Sequence, residues 1–126
     1  MPFIHIKSLP LEEGFDIANT LKKIAIDFSN NTGNKLGHIH TTWDFYKPGH
    51  YAKGNEVSET QPKANYPIIV DLLTPDFNEL KIIAVMLESI ADSISSQLDF
   101  PKNNIFINHR YAHSATVFDD GEIVQW

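Results

Sequence analysis

The feature that most constrains the fold is a hydrophobic pattern that predicts strand, helix and strand, and then repeats. Residues 3–7 alternate between apolar and mixed positions, which is typical of a strand with one buried face. An amphipathic helix is predicted after Asp16, whose carboxylate suits the N-cap position. Residues 38–46 are rich in β-branched and aromatic side chains and predict a second strand. A first βαβ unit therefore spans about residues 1–46.

The second half repeats this order over about residues 66–118. A strongly apolar strand comes first, and Asp76 followed by Glu79 resembles a capping box at the start of a helix. The apolar positions of this helix have clear helical spacing: Leu80, Ile83, Leu87, Ile90, Ala91, Ile94 and Leu98. Pro101 ends the helix, and residues 104–109 predict another strand.

Polar and turn-forming segments connect and follow the two units. Residues 47–65 form a polar connection, and its front half around Tyr51 predicts either a short hairpin or an excursion of the chain. Residues 119–121 predict a turn, and residues 122–126 predict a last short strand.

The duplication predicts an α+β fold in a single domain of residues 1–126. Residues 2–4 and 67–69 begin the two units in the same way, with proline ahead of an apolar strand. Because βαβ crossovers are right-handed, two such units give one four-stranded mixed sheet with both helices on one face.

The first strand indicates what happens on the other face of this sheet. Ile4 and Ile6 point towards the helices, whereas Phe3, His5 and Lys7 point away from them. This second face is in part too apolar to remain in water. Burial against copies of the same chain would cover it, so we expect an oligomer.

Composition excludes several classes of function. A net charge of −6 and a single arginine, Arg110, argue against nucleic acid as a partner. The chain has no cysteine, which excludes disulfides, thiolate metal sites and a cysteine nucleophile. No segment has the character of a signal peptide or the length of a membrane span, so we expect a cytoplasmic protein without a membrane partner.

Pro2 has two interpretations. It precedes a strand, where the missing N–H group costs nothing. Alternatively, removal of Met1 makes Pro2 a free secondary amine that can act as a base. If Met1 is retained, the same nitrogen belongs to an amide and has no basicity.

Together these features resemble the tautomerase superfamily, which includes 4-oxalocrotonate tautomerase and macrophage migration inhibitory factor. Proline at position 2, the duplicated βαβ unit and the chain length are similar to those of the fused, two-unit members over nearly the whole chain. Shorter stretches that resemble family passages are residues 32–35, 49–51, 98–101 with 105–107, and 117–122.

The resemblance implies a homotrimer that catalyses keto–enol proton transfer on a small carbonyl or enol compound without a cofactor. Pro2 would be the base, which requires an amine pKa lowered from about 8 by burial or a neighbouring cation. In the matching stretches, Lys35 corresponds to a lysine that faces the substrate, and Tyr51 corresponds to an aromatic residue that lines the active site.

The chain departs from the family at its substrate-binding arginines, whose positions fall on His40, near Glu12 and on Phe106. Arginine binds carboxylates through two parallel hydrogen bonds, which histidine and glutamate cannot reproduce. We therefore do not expect dicarboxylate substrates. Lys35, His40 and Arg110 are the candidates for holding an enolate or another anionic group. A catalytically silent trimer is the alternative function.

A histidine-based metal site is a third interpretation. His38 and His40 would point the same way if both lay on one strand, and His50 or Asp44 could add a ligand. Two long helices do not suit the many-stranded proteins that use this motif, and we assign no metal ligands.

Overall fold

The computed structural model describes residues 1–11 and 14–126, so Glu12 lies outside the described residues. These residues form eight strands, two α-helices and two single 3₁₀ turns. In chain order they are β1 (Phe3–Ser8), α1 (Ile17–Thr32), a 3₁₀ turn (Leu36–His38), β2 (His40–Phe45), β3 (Tyr51–Lys53), β4 (Glu56–Ser58), β5 (Ile68–Pro75), α2 (Leu80–Leu98), a 3₁₀ turn (Lys102–Asn104), β6 (Ile105–Ala112), β7 (Val117–Asp119) and β8 (Glu122–Val124).

Four of the strands form one mixed sheet in the order β2-β1-β5-β6. Strand β1 is parallel to β2, β5 is parallel to β6, and the two pairs meet through the antiparallel contact of β1 with β5. Each parallel pair is joined by one helix. The predicted α+β fold of two βαβ units with a four-stranded mixed sheet is confirmed.

The core lies between one face of this sheet and the two helices. Every second residue of β1 and β5 is buried, as expected for strands with one apolar face. The buried core consists of Ile4, Ile6, Ile68, Val70 and Leu72 from the sheet, Ile24 and Phe28 from α1, and Ile83, Met86, Ile90, Ile94 and Leu98 from α2, with Phe100 beyond its end. No described helix is both long enough and apolar enough to cross a bilayer.

Both ends of α1 have residues that are suited to capping a helix. The Asp16 carboxylate accepts a hydrogen bond from the Asn19 backbone N–H, so the predicted N-cap is confirmed. Gly33 ends the helix with a left-handed φ of 78°, a conformation that glycine adopts without strain.

Two local predictions are wrong. Strand β2 begins at His40 rather than at residue 38, because Leu36–His38 form a 3₁₀ turn. The capping box at Asp76 is absent, because α2 begins at Leu80 with Glu79 at the N-cap and no side-chain cap. The Asp76 carboxylate instead accepts hydrogen bonds from side chains of the C-terminal region.

Two short hairpins lie outside the main sheet. The first pairs β3 with β4, so of the two options for the segment around Tyr51 the hairpin is the one formed. The second, which we call the C-terminal hairpin, comprises residues 117–124 and pairs β7 with β8 around the predicted turn.

Candidate active site

The sheet face opposite the helices, here called the open face, carries side chains in rows set by strand register. The row at the N-terminal end of β1 contains His40, Phe3, Leu73 and Arg110. The next row contains Thr42, His5, Asp71 and Asn108, and the third contains Asp44, Lys7, Ile69 and Phe106. Polar and apolar residues are therefore mixed over this surface, with an entirely polar second row between two rows that each contain an apolar pair.

Pro2 immediately precedes β1 and therefore lies next to the first row. It is buried, and its carbonyl oxygen accepts a hydrogen bond of 3.0 Å from the His40 backbone N–H. Burial lowers the pKa of the Met1 ammonium just before it, while the negative charge of Asp119 acts in the opposite direction. The start of the chain is therefore a place where an amine is held towards its neutral form.

His40 is the site candidate that the structure brings closest to Pro2. Its imidazole stacks on the ring of Phe3, with 4.3 Å between the ring centroids and 14° between the planes. Because the two residues are partners across the β1–β2 ladder, the stack keeps the imidazole on the open face against Phe3.

Lys35 is exposed and immediately precedes the 3₁₀ turn that leads into β2. Its carbonyl oxygen accepts a hydrogen bond of 2.9 Å from the His38 backbone N–H, which fixes its backbone while the side chain remains in solvent. This segment leads into His40, whose backbone N–H binds the Pro2 carbonyl. Lys35 therefore lies at the Pro2 end of the sheet.

Arg110 belongs to the first row but its guanidinium is already engaged. Its Nε donates to Asp71 Oδ1 over 3.0 Å, and a terminal nitrogen donates to Oδ2. This two-pronged pair lowers the pKa of Asp71 and raises that of Arg110. Because both groups are partly exposed in the single subunit, the pair contributes at most about 1 kcal/mol there.

His5 occupies the centre of the second row. Its Nδ1 hydrogen-bonds to the Thr42 hydroxyl, and its Nε2 lies 3.4 Å from Asp44 Oδ2. On the open face Asp71 therefore pairs with Arg110, and Asp44 lies beside the His5 ring.

Tyr51 does not join this group within the subunit. Its hydroxyl donates to the Pro67 carbonyl over 2.9 Å, and its ring packs edge-on against Tyr46 and Tyr66. Burial, with smaller contributions from these two neighbours, raises its pKa. Pro67 immediately precedes the first residue of β5. Because β5 is antiparallel to β1, this start of β5 is the end farthest from Pro2, so Tyr51 and Pro2 lie at opposite ends of the sheet.

The histidines do not form the metal site considered from the sequence. His38 lies in the 3₁₀ turn rather than on β2, so it does not share a strand face with His40. Within residues 1–11 and 14–126, no three His, Cys, Asp or Glu side chains lie close enough together to hold a metal ion.

Sequence reasoning missed two acidic residues near the site. Asp71 interrupts the apolar run of β5, which was a signal of an open face, but its partner Arg110 lies on a strand 39 residues away. Asp119 comes near the start of the chain only through the path of the C-terminal hairpin, and nothing in its local sequence predicts that.

Several solved structures are similar to this chain in fold at low sequence identity. Pt0534 inactivated by 2-oxo-3-pentynoate matches with a TM-score of 0.81 and 10% identity over 97% of this chain and 94% of the other. A symmetric trimer of wild-type fused 4-OT matches with a TM-score of 0.80 and 10% identity over 97% and 94%. The macrophage migration inhibitory factor from Trichinella spiralis matches with a TM-score of 0.70 and 11% identity over 95% and 97%.

No protein-family model matches the chain, and no curated protein matches it. The likeness therefore rests on architecture: the strand order, the crossover helices and the near-complete coverage of both chains. The chain has the tautomerase-superfamily fold.

Proposed function

We propose that this protein is a cofactor-independent tautomerase acting on a small carbonyl compound, with the Pro2 amine as base after removal of Met1. The observation that carries the proposal is the position of Pro2. It is buried at the start of β1, in a chain that has the tautomerase fold. We also expect a cytoplasmic location.

The reaction moves one proton and changes no oxidation state. The neutral Pro2 nitrogen takes the proton of an enol hydroxyl, and the resulting ammonium returns a proton to the neighbouring carbon to give the ketone. A base is most efficient when its pKa lies near the working pH, and such a base contributes on the order of 10²–10⁴-fold. Burial lowers the pKa of an amine, and Pro2 is buried, so we expect its amine to have a pKa below the ordinary value of about 8.

The developing enolate oxygen needs a donor or a cation. His40 and Lys35 are our candidates for this role; the support is that the His40 backbone N–H binds the Pro2 carbonyl and that Lys35 precedes His40 on the same segment. Arg110 lies in the same row of the open face, and its guanidinium has N–H groups beyond the two that bind Asp71.

Assembly into a homotrimer completes the proposed site. Structures with the same fold include trimers of fused 4-OT, and the open face needs partners to leave water. Because Tyr51 is far from Pro2 in its own subunit, its proposed role as a wall of the site belongs to a neighbouring copy.

The test combines intact mass with a ketonisation assay on phenylenolpyruvate. The mass should show loss of Met1, and the wild type should accelerate ketonisation. Pro2→Leu should keep Met1, because trimming favours a small second residue, and should lower the rate by about 10²–10⁴-fold. Pro2→Ala retains an amine but lacks the ring that fixes it, and should lose at least about 10-fold of the rate.

Pro48→Ala, at an exposed turn, is the matched control and should keep the wild-type rate. Retention of Met1 in the mature protein, or equal rates for wild type and both Pro2 variants, would contradict the catalytic proposal. If these equal rates also match the uncatalysed rate, the result favours the catalytically silent trimer, for which the pairing of Arg110 with Asp71 is the supporting observation.

A further inference from the structure

A hydroxyl and an imidazole that the proposed mechanism does not use lie paired on the core face of the sheet. Thr74 of β5 is 1% exposed, and its Oγ1 lies 2.8 Å from Nε2 of the partly buried His109 of β6. The ring of Tyr111 packs edge-on against the imidazole, with 4.6 Å between the ring centroids. The other buried positions of β5 on this face are aliphatic. Because desolvation disfavours a polar pair in such surroundings, what lies beside the pair indicates its role.

The register of β1 with β5 places Thr74 opposite Pro2. The two strands are antiparallel and Phe3 pairs with Leu73, so the residue before Phe3 faces the residue after Leu73. Pro2 and Thr74 are both buried, and they lie on the core face because side chains alternate along each strand. Directly opposed residues have their Cβ atoms about 4.5–5.5 Å apart. The Thr74 side chain therefore lies beside the residue whose nitrogen is the proposed base.

The Thr74 hydroxyl keeps a free acceptor site whichever way its hydrogen points. A threonine hydroxyl has one hydrogen and two lone pairs. The hydrogen can go to His109 Nε2 or to the Pro75 carbonyl oxygen, which lies 3.3 Å away. In the first case both lone pairs remain, and in the second the imidazole N–H uses one of them. A protonated amine offers only donors, so Oγ1 can accept a hydrogen from the Pro2 ammonium, directly or through one water.

His109 holds this hydroxyl without adding charge. Burial lowers the pKa of His109, with the negative charge of Asp71 acting against the shift. The neutral imidazole does not repel a positive charge at Pro2, and its 2.8 Å contact fixes the threonine oxygen. The Tyr111 hydroxyl in turn donates to the Asn78 carbonyl over 2.9 Å, which fixes the ring that packs on the imidazole.

The charged groups around Pro2 come from other elements. From the C-terminal hairpin, the negative charge of Asp119 acts on the amine at the start of the chain. From β2, the His40 backbone binds the Pro2 carbonyl, and on the open face Arg110 is held by its carboxylate partner. On the core side, α2 contributes apolar residues, and its buried serines hydrogen-bond to side chains of α1. Thr74 therefore supplies a neutral acceptor on a side where the described helices present apolar groups.

We propose that Thr74, held by His109, is a positioning residue for Pro2, and that its hydroxyl stabilises the ammonium formed when the amine takes the substrate proton. This inference rests on the proposed function and adds the groups behind the base. The proton passes from the enol hydroxyl to the Pro2 nitrogen, stays there as an N–H that Thr74 Oγ1 accepts, and is returned to carbon. Thr74 and His109 keep their own protons throughout.

Removal of the hydroxyl tests the proposal. In Thr74→Val, the pKa of the Pro2 amine, measured by NMR of ¹⁵N-proline-labelled protein, should fall by about one unit, because the ammonium loses an acceptor in apolar surroundings. The acidic limb of kcat/KM for ketonisation of phenylenolpyruvate should move to lower pH by the same amount, and the plateau rate should fall about 3- to 10-fold, because the base is weaker. Thr74→Ser keeps a hydroxyl and should give a pKa and a limb close to those of the wild type.

Ser8→Ala is the matched control. Ser8 is fully buried at the other end of β1, where its hydroxyl donates to the Leu9 carbonyl over 2.8 Å. This variant also deletes a buried hydroxyl from the sheet, and it should leave the pKa of Pro2 unchanged. A merely structural role for Thr74 would lower the free energy of unfolding without moving either pH reading.

The same measurements separate this inference from the proposed function. A wild type that catalyses ketonisation with a Pro2 amine, and a folded Thr74→Val that titrates like it, would overturn the inference and leave the proposed function standing. An amide nitrogen at position 2, or no ketonisation by the wild type, would overturn both.

Circular dichroism checks that Thr74→Val folds. If it does not, Thr74→Val/His109→Leu removes both polar groups together and leaves no orphaned imidazole in the core. This double variant should show the same fall in the pKa of Pro2, and an unchanged pKa would overturn the inference.

Discussion

The two faces of the sheet use the same strands but follow different rules. On the core face, Ile4, Ile6, Val70 and Leu72 are at most 1% exposed and belong to the apolar cluster formed with residues of the two helices. On the open face, the same strands carry a mixture of apolar and polar side chains, including the ion pair of Asp71 with Arg110. The helices cover the core face, whereas we propose that the open face contacts other copies of the chain and carries groups of the proposed site. We therefore expect substitutions on the core face to lower the stability of the subunit, and substitutions on the open face to affect the proposed function and assembly.

The largest expected effect is on the core face. Phe28→Ala removes a fully buried ring between α1 and the sheet and should lower the free energy of unfolding by about 3–5 kcal/mol. Leu80→Ala, at a position 77% exposed, should change it by no more than about 0.5 kcal/mol. Urea denaturation at fixed protein concentration measures both. Similar losses for the two variants would show that the core lies elsewhere.

The second prediction concerns the open face, where loss should appear in assembly more than in folding. Asp71→Ala leaves the Arg110 guanidinium without its carboxylate. That costs at most about 1 kcal/mol in a solvated subunit but about 3–5 kcal/mol where the face is buried between copies. Sedimentation at a series of concentrations should therefore show a weakened trimer with a nearly unchanged subunit.

The double variant Asp71→Ala/Arg110→Ala is the control for this argument. Removal of both charges should recover part of the lost association, since no unpaired guanidinium remains to be buried. If Asp71→Ala associates as tightly as the wild type, the open face stays in water and the distinction between the two faces fails.

The smallest effect concerns a polar pair on the core side. His109 Nε2 lies 2.8 Å from the Thr74 hydroxyl, and burial lowers the pKa of His109, with the charge of Asp71 acting against the shift. The unfolded chain then binds more protons than the folded one as the pH falls below about 6.5, so stability decreases in that window. His109→Gln should have a shallower slope of unfolding free energy between pH 7 and 5. Equal slopes for the wild type and His109→Gln would contradict the assignment of this pH dependence to His109.

Hydrophobic periodicity, helix-capping residues and turn residues were sufficient to predict the architecture, because each is a local signal. The alternation of β1 and the N-cap at Asp16 depend on only a few neighbouring residues, and both predictions are confirmed. The predicted cap at Asp76 failed because Trp126, 50 residues further on, donates to its carboxylate.

The candidate site was less accessible from sequence, since it depends on register between distant strands. Pro2 and His40 could be named, but their hydrogen bond depends on the parallel pairing of β1 with β2. Tyr51 was expected at the same site from a local resemblance, and within the subunit it lies at the other end of the sheet. Its role now depends on assembly, which one chain's sequence does not specify.

A titration of the Pro2 nitrogen tests the central claim most directly. Protein labelled with ¹⁵N-proline should show by NMR a secondary amine at position 2 whose pKa lies below the ordinary value of about 8. An amide nitrogen at that position, or an amine that titrates at or above about 8, would contradict the account of the site while leaving the fold unaffected.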